Sequence, residues 1–207
     1  MTYEVMRMES ADAIGWLDTG NSLFRSGKLE EALRCYDKAL EIEPTLVSAW
    51  SNKGVILAKM GRFENALQCY DRALEIDPNH IRAWTSKGVA LARMGKYKAA
   101  LECYDRALRI KPDHAVALAE KGALLFELRK VEEAVRCFDE ALKIDPTDTT
   151  TWGYKISSLV LTGKYDDAMK CIDEALKINP DSEELERMRN SLLPQIKLRK
   201  LLQESRR

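Results

Sequence analysis

Apolar residues in this chain fall at spacings of three and four, stop, and then resume. Between residues 62 and 76, Phe63, Ala66, Leu67, Tyr70, Ala73 and Leu74 share one stripe, the pattern of an amphipathic α-helix. Ahead of it Ala49, Trp50, Leu57 and Ala58 mark a first helix, and Gly61 supplies a residue suited to the reversal between the two. Asp77 and Pro78 end the second helix, because proline cannot extend a helix and restricts the residue before it. The stretch therefore predicts a pair of helices of about 12 to 14 residues each.

The pair recurs. Proline stands at 44, 78, 112, 146 and 180, a step of 34 residues, and Cys35, Cys69, Cys103, Cys137 and Cys171 keep the same step. Gly20, Gly54, Gly88 and Gly122 do so too. Glycine inside a helix costs ~1 kcal/mol against alanine, so its return predicts a close helix contact, helped by the methyls of Ala66 and Ala73. One pair cannot bury its own apolar face, and neighbours must stack into a continuous core. The divisions are 13–46, 47–80, 81–114, 115–148 and 149–182, between an N-terminal segment 1–12 and a C-terminal segment 183–207 that leaves the period.

Trp50, Gly54, Leu57, Ala66, Tyr70, Ala73 and Pro78 resemble the signature of the tetratricopeptide repeat (TPR) family, in tandem arrays of the prokaryotic kind, as do Trp84, Gly88, Leu91, Ala100, Tyr104, Ala107 and Pro112. The first repeat matches through Trp16, Gly20, Leu23, Ala32, Tyr36, Ala39 and Pro44. The fourth has Leu118 for the tryptophan and Arg129 for the turn glycine; the fifth has Ile156 for the helix glycine. Where the family has leucine before that glycine, this chain has Thr19, Lys53, Lys87, Lys121 and Lys155. The resemblance implies an all-α, right-handed superhelical solenoid of antiparallel helix pairs, five TPR units closed by a C-terminal capping helix. It also implies a concave groove lined by the first helices. Groove residues carried over in this way are Asn21, Asn52, Val55, Lys59, Arg82, Ser86, Val89, Arg93, Glu120 and Glu127, with Ser51 and Thr85 expected to face inward beside them.

The expected function is a non-enzymatic scaffold or adaptor that takes a protein or peptide ligand, peptide or helix, in this groove; the alternative is a self-assembling module that uses its ends or its C-terminal tail. Chaperone-binding members grip terminal carboxylates with lysine and asparagine, asparagine, then lysine and arginine. Here those places hold Leu17 and Asn21, Asn52, and Arg82 and Ser86, so two cations of that clamp are missing. Along the groove Asn52, Lys59, Arg82 and Arg93 make the second and third repeats donor-rich, whereas Glu120 and Glu127 make the fourth negative. An acidic part of the ligand is expected over the second and third.

Composition changes this picture little. Lysine plus arginine equals aspartate plus glutamate at 33 each, and no basic stripe with interleaved aromatics predicts nucleic-acid binding. No run is apolar enough to span a bilayer and no leader is recognisable, so a cytoplasmic protein without a transmembrane segment is expected. Equivalent positions on stacked helices lie about 8 to 10 Å apart, too far for disulfides, which want α-carbons within ~7 Å, or for a shared metal. The cysteines are expected to be free, small, partly buried side chains. His80 and His114 fall two residues after repeat prolines, in turns expected to be solvated, and Asp37, Asp71, Asp105, Asp139 and Asp173 are expected to form a solvated charged face. No nucleophile motif or phosphate loop is present, so no enzyme, no cofactor and no small-molecule substrate are expected. In the tail, Ser182 or Asp181 should cap a helix carrying Leu185, Met188 and Leu192, and Pro194 should interrupt it before a basic stretch of five Lys/Arg against one Glu. Tyr3, Val5, Met6 and Met8 are expected to cover the opposite end.

Overall fold

A computed structural model describes the backbone of residues 3–204 and the side chains of residues 12–198. The expected covering role of Tyr3, Val5, Met6 and Met8 thus lies outside the described side chains. The described residues form eleven α-helices and no strand. They fall into two compact units, Met1–Lys111 and Pro112–Arg207.

The first unit holds three helical hairpins: α1 (Tyr3–Arg25) with α2 (Leu29–Ile42), α3 (Val47–Lys59) with α4 (Phe63–Ile76), and α5 (Ile81–Arg93) with α6 (Tyr97–Ile110). The second holds α7 (Ala115–Glu127) with α8 (Val131–Ile144), α9 (Thr149–Leu161) with α10 (Tyr165–Ile178), and a final helix α11 (Glu183–Glu204). Inside each hairpin the two helices pack closely, and each first helix also touches the next first helix of its own unit.

The helix glycines mark where an aromatic ring crosses. A β-carbon added to Gly20, Gly54 or Gly88 would lie 2.5 Å from Cε1 of Tyr36, Tyr70 or Tyr104, and one on Gly122 the same distance from Cε1 of Phe138. Those four rings are almost wholly buried. The fifth repeat solves the space the other way round, with Ile156 and Ile172 both buried in place of glycine and aromatic. At the hairpin turns Gly27, Gly61, Gly95 and Gly163 have φ between 73° and 80°, and Arg129 adopts the same left-handed conformation at φ 62°.

Adjacent repeats are joined by side chains that the sequence does not pair on sight. The indole nitrogens of Trp50, Trp84 and Trp152 donate to the carbonyls of Pro44, Pro78 and Pro146 at 2.8, 2.9 and 2.9 Å, which ties each repeat to the proline closing the one before. The lysines standing in the leucine place also reach back: Lys53 to Asp37 at 2.5 Å, Lys87 to Asp71 at 2.6 Å and Lys155 to Asp139 at 2.8 Å. Each ammonium lies over the tryptophan of its own helix. Asp37, Asp71 and Asp139 stay about half exposed, in keeping with the solvated charged face expected from their period, and serve in addition as partners in joints between repeats. Burial is the largest single influence on Lys155 and opposes its charge, yet the hydrogen bond and charge of Asp139 together with neighbouring Cys171 outweigh it and hold the ammonium above the usual lysine range.

First helices start on a side chain at residues 80, 114, 148 and 182. Nδ1 of His80 and His114 accepts from the main-chain N–H of Ala83 and Ala117, at 3.2 and 3.1 Å. Asp148 serves Thr150 and Thr151, and Ser182 serves Leu185. The histidines are thus half-buried helix caps rather than solvated turn residues. The final helix buries Leu185 and Leu192 against α9 and α10. It also runs unbroken through Pro194, although proline gives up its own N–H bond and crowds the carbonyl one turn earlier; Leu192 remains packed close by.

Candidate functional site

On the face built by α1, α3 and α5 the first unit has two adjoining hollows that share Val55. One, of about 470 Å³, is lined by Asp18, Asn21, Phe24, Arg25, Asn52, Val55 and Arg82. The other, of about 520 Å³, includes Lys59, Phe63, Ser86, Val89, Ala90 and Arg93. The hollows collect all eight groove residues that the sequence places in the second and third repeats and at Asn21. Odd helices put them there because their opposite faces, led by Ala49, Ile56 and Leu57 on α3, are buried.

Between the first two repeats the amides are held by a small network. Oδ1 of Asn21 accepts from Nδ2 of Asn52 at 2.7 Å and from the Tyr36 hydroxyl at 2.9 Å. With both lone pairs of that oxygen engaged, Asn21 turns its own NH₂ donors away from the network. The Tyr36 phenol is raised from its ordinary pKa, burial being the main cause and Arg82 working against it. Burial likewise pushes the Tyr70 phenol up, its hydrogen bond to Ser86 working against the shift. Both stay protonated and neutral at ordinary pH.

The cations differ in their engagements. Lys59 stands 5.8 Å from the Phe24 ring centroid. Arg82 and Arg93 are exposed and carry no carboxylate partner among the described residues. Asp18 is the single acid lining either hollow. The arrangement therefore offers amide and guanidinium donors on an apolar floor of Val55, Val89 and Ala90. It can pair with carbonyls and carboxylates, and it holds no nucleophile beside a base.

Two expected inward residues are elsewhere: Ser51 is fully buried with no hydrogen-bond partner for its hydroxyl, and Thr85 is buried and bonds the Ile81 carbonyl. Asp18 and Arg25 line the first hollow without having been expected there. They flank Asn21 on α1, three residues before it and four after, and that spacing is the signal that could have found them. Glu120 and Glu127 belong to the second unit, where Glu120 is half-buried and Glu127 borders a separate, mainly apolar cavity. The cysteines are free, and burial pushes the thiols of Cys69 and Cys103 up to about 11. Among the described residues no group of His, Cys, Asp and Glu is disposed to hold a metal, and no helix is long and apolar enough to cross a membrane.

Family models of the tetratricopeptide repeat match residues 45–113, 96–151 and 157–182, and one described as TPR repeat matches 20–61. No curated protein matches the sequence. Among solved structures, pilF of Pseudomonas aeruginosa superposes with a TM-score of 0.81 at 18% identity, over 93% of this chain and 87% of its own. The thermophilic TPR protein TTC0263 of Thermus thermophilus gives 0.70 at 21%, over 87% and 98%. YrrB, described as a TPR protein with an unusual peptide-binding site, gives 0.64 at 22%, over 90% and 96%. With four such matches spread from residue 20 to residue 182 over helical hairpins of the same step, the chain belongs to the tetratricopeptide repeat family.

Proposed function

We propose that the chain is a non-enzymatic interaction scaffold that holds an extended, acidic segment of a partner protein along the face of α1, α3 and α5. The observation that carries this reading is the pairing of held amides with uncommitted cations: Asn21 and Asn52 fixed by Tyr36, beside Arg82 and Arg93. An extended segment needs partners for its own N–H and C=O groups, and these side chains supply them. That YrrB has a peptide-binding site supports the same direction. Charge at such a rim sets orientation and on-rate more than affinity, at ~1 kcal/mol per solvated charge.

The test is capture from native lysate by the wild type, by Arg82→Glu with Arg93→Glu, and by a charge-matched control, Arg34→Glu with Lys98→Glu on α2 and α6. The groove pair should lose partners and salt sensitivity while the control keeps both. Equal capture by all three would sink the reading. Self-assembly through the last helix is the second reading, motivated by Leu198, which is 59% exposed on α11. Light scattering over a concentration series decides it: a larger species that grows with concentration favours assembly.

A further inference from the structure

In the second unit the α9 and α11 helices leave a cavity of about 680 Å³ that the scaffold reading above does not use. Its apolar surface comes from Phe126 on α7, Ile156, Val160 and Leu161 on α9, and Met188 and Leu192 on α11. Leu161 is 47% exposed. Along α11 the lining residues Met188, Ser191, Leu192 and Gln195 fall at steps of three, four and seven, so one face of that helix forms a wall about 10 Å long. The cavity is a trough about two helical turns in length.

The walls decide what kind of chain suits it. Both are helical, so their main-chain groups are bonded internally and offer nothing to a strand, and the surface is mainly apolar, with Ser157, Ser191 and Gln195 the neutral polar residues among its lining. An extended segment would give up water from its own N–H and C=O groups without replacement, which is costly, whereas a helix arrives with them paired. Charge narrows it further. Arg129 lines the trough without an ion-pair partner among the described residues, and Arg187, also in the lining, is engaged only by exposed Glu183; Glu127 is the single acid there. The sequence of the last helix, with Lys197, Arg199 and Lys200, makes the tail of a second copy a poor match for these arginines.

We propose that this trough docks an amphipathic helix of a partner protein, with large apolar side chains three or four residues apart facing α9 and α11 and an acidic residue meeting Arg129. The ligand chemistry is distinct from that of the amide-lined hollows, and the two can fail separately.

A fluorescein-labelled, stapled peptide of about four helical turns, with Leu at i, i+4 and i+7 and Glu on the flanks, is titrated against the full chain by fluorescence polarisation. The comparisons are the same peptide with Lys for Glu, and an unstapled one with proline at its centre. The Glu helix should bind best, the Lys helix several-fold more weakly, and the proline peptide least. Leu161→Asp should weaken the Glu helix by about tenfold or more, and Ser191→Glu, at an exposed position on the other wall, should repeat the loss. Arg129→Gly suits the left-handed turn and should erase the preference for Glu over Lys while binding persists. Equal binding of stapled and proline peptides, no binding of any, or no loss in both folded wall variants would overturn the proposal. A dimer that Leu161→Asp dissolves would assign the trough to a second copy and overturn it as well.

Discussion

Single residues in this chain carry obligations that only their neighbours explain. Gly88 is tolerated inside α5 because the Tyr104 ring occupies the place of a side chain, 2.5 Å from where a β-carbon would stand. Gly88→Ala gains ~1 kcal/mol of helix propensity and meets an overpacking cost of ~1–3 kcal/mol against a ring with no free space. Urea denaturation should therefore show a net loss, the opposite of an exposed helix glycine. His80 makes a second case. Burial holds its imidazole below the usual histidine range, Asp77 pulling the other way and Arg82 adding to the effect, and the cap needs the neutral form because Nδ1 accepts. A depressed folded value means the unfolded chain takes the proton first. The contribution is whole above about pH 6.5 and is lost as pH falls through the folded value. Stability measured from pH 7.5 to 5 should drop in the wild type by more than in His80→Asp, which caps without titrating in that window.

At the scale of elements, the hairpins were legible because their markers are contact residues: proline at the end of one helix, glycine under a ring, alanine where helices meet. The joints were not, since Lys53 and Asp37 stand 16 residues apart on different repeats and look like two unrelated charges until α2 and α3 are side by side. Sequence spacing also leaves the register of a helix face loose by one position, which is why Ser51 and Thr85, expected in the groove, are found buried. The indole bond to proline gives a prediction here. Trp84→Phe keeps the aromatic body and loses the donor to Pro78, which should cost about 1 kcal/mol, with most of the change in the unfolding rate of the second and third repeats if the joint forms late. Arg129 gives another. Its φ of 62° carries a cost that the four turn glycines avoid, so Arg129→Gly should stabilise the second unit by ~1 kcal/mol, and amide exchange over residues 115–148 should slow accordingly. Protection in that stretch above all others in the wild type would contradict this.

For the molecule as a whole, periodicity separated the common plan from local departures, and the departures are where chemistry gathers. The donor-rich face could be nominated because it lies on odd helices of regular repeats. The apolar trough could not, because one wall is α11, which leaves the period and whose docking is a matter of three dimensions. The thiols test the shared plan across all five repeats at once. Cys35, Cys69, Cys103 and Cys171 are buried while Cys137 is half-buried, and at Cys69, Cys103 and Cys171 burial raises the thiol pKa and leaves little thiolate for reaction. Alkylation of the native chain should label Cys137 first and the others slowly. After unfolding, mass measurement should count five modified cysteines with or without reductant, and a lower count without it would reveal a bond.

The reach of each lysine back to the aspartate before it makes the repeats something like couplings on railway wagons. The second repeat carries Lys53 at its front and Asp71 at its rear, and Asp71 is taken up by the next lysine, Lys87. A gene segment encoding residues 47–80 could therefore be copied in tandem with both halves of its coupling intact, or excised with the remaining ends still matched. Thr19 spends its hydroxyl on its own helix, at the Gly15 carbonyl, so the first repeat lends a hook forward and takes none from behind. At the far end Arg189 of the last helix, 3.7 Å from Asp173, fills the place a further lysine would take. Length in such a chain is open to change by whole repeats, in steps that leave every joint in register, while a change of any other size would leave a hook without its eye.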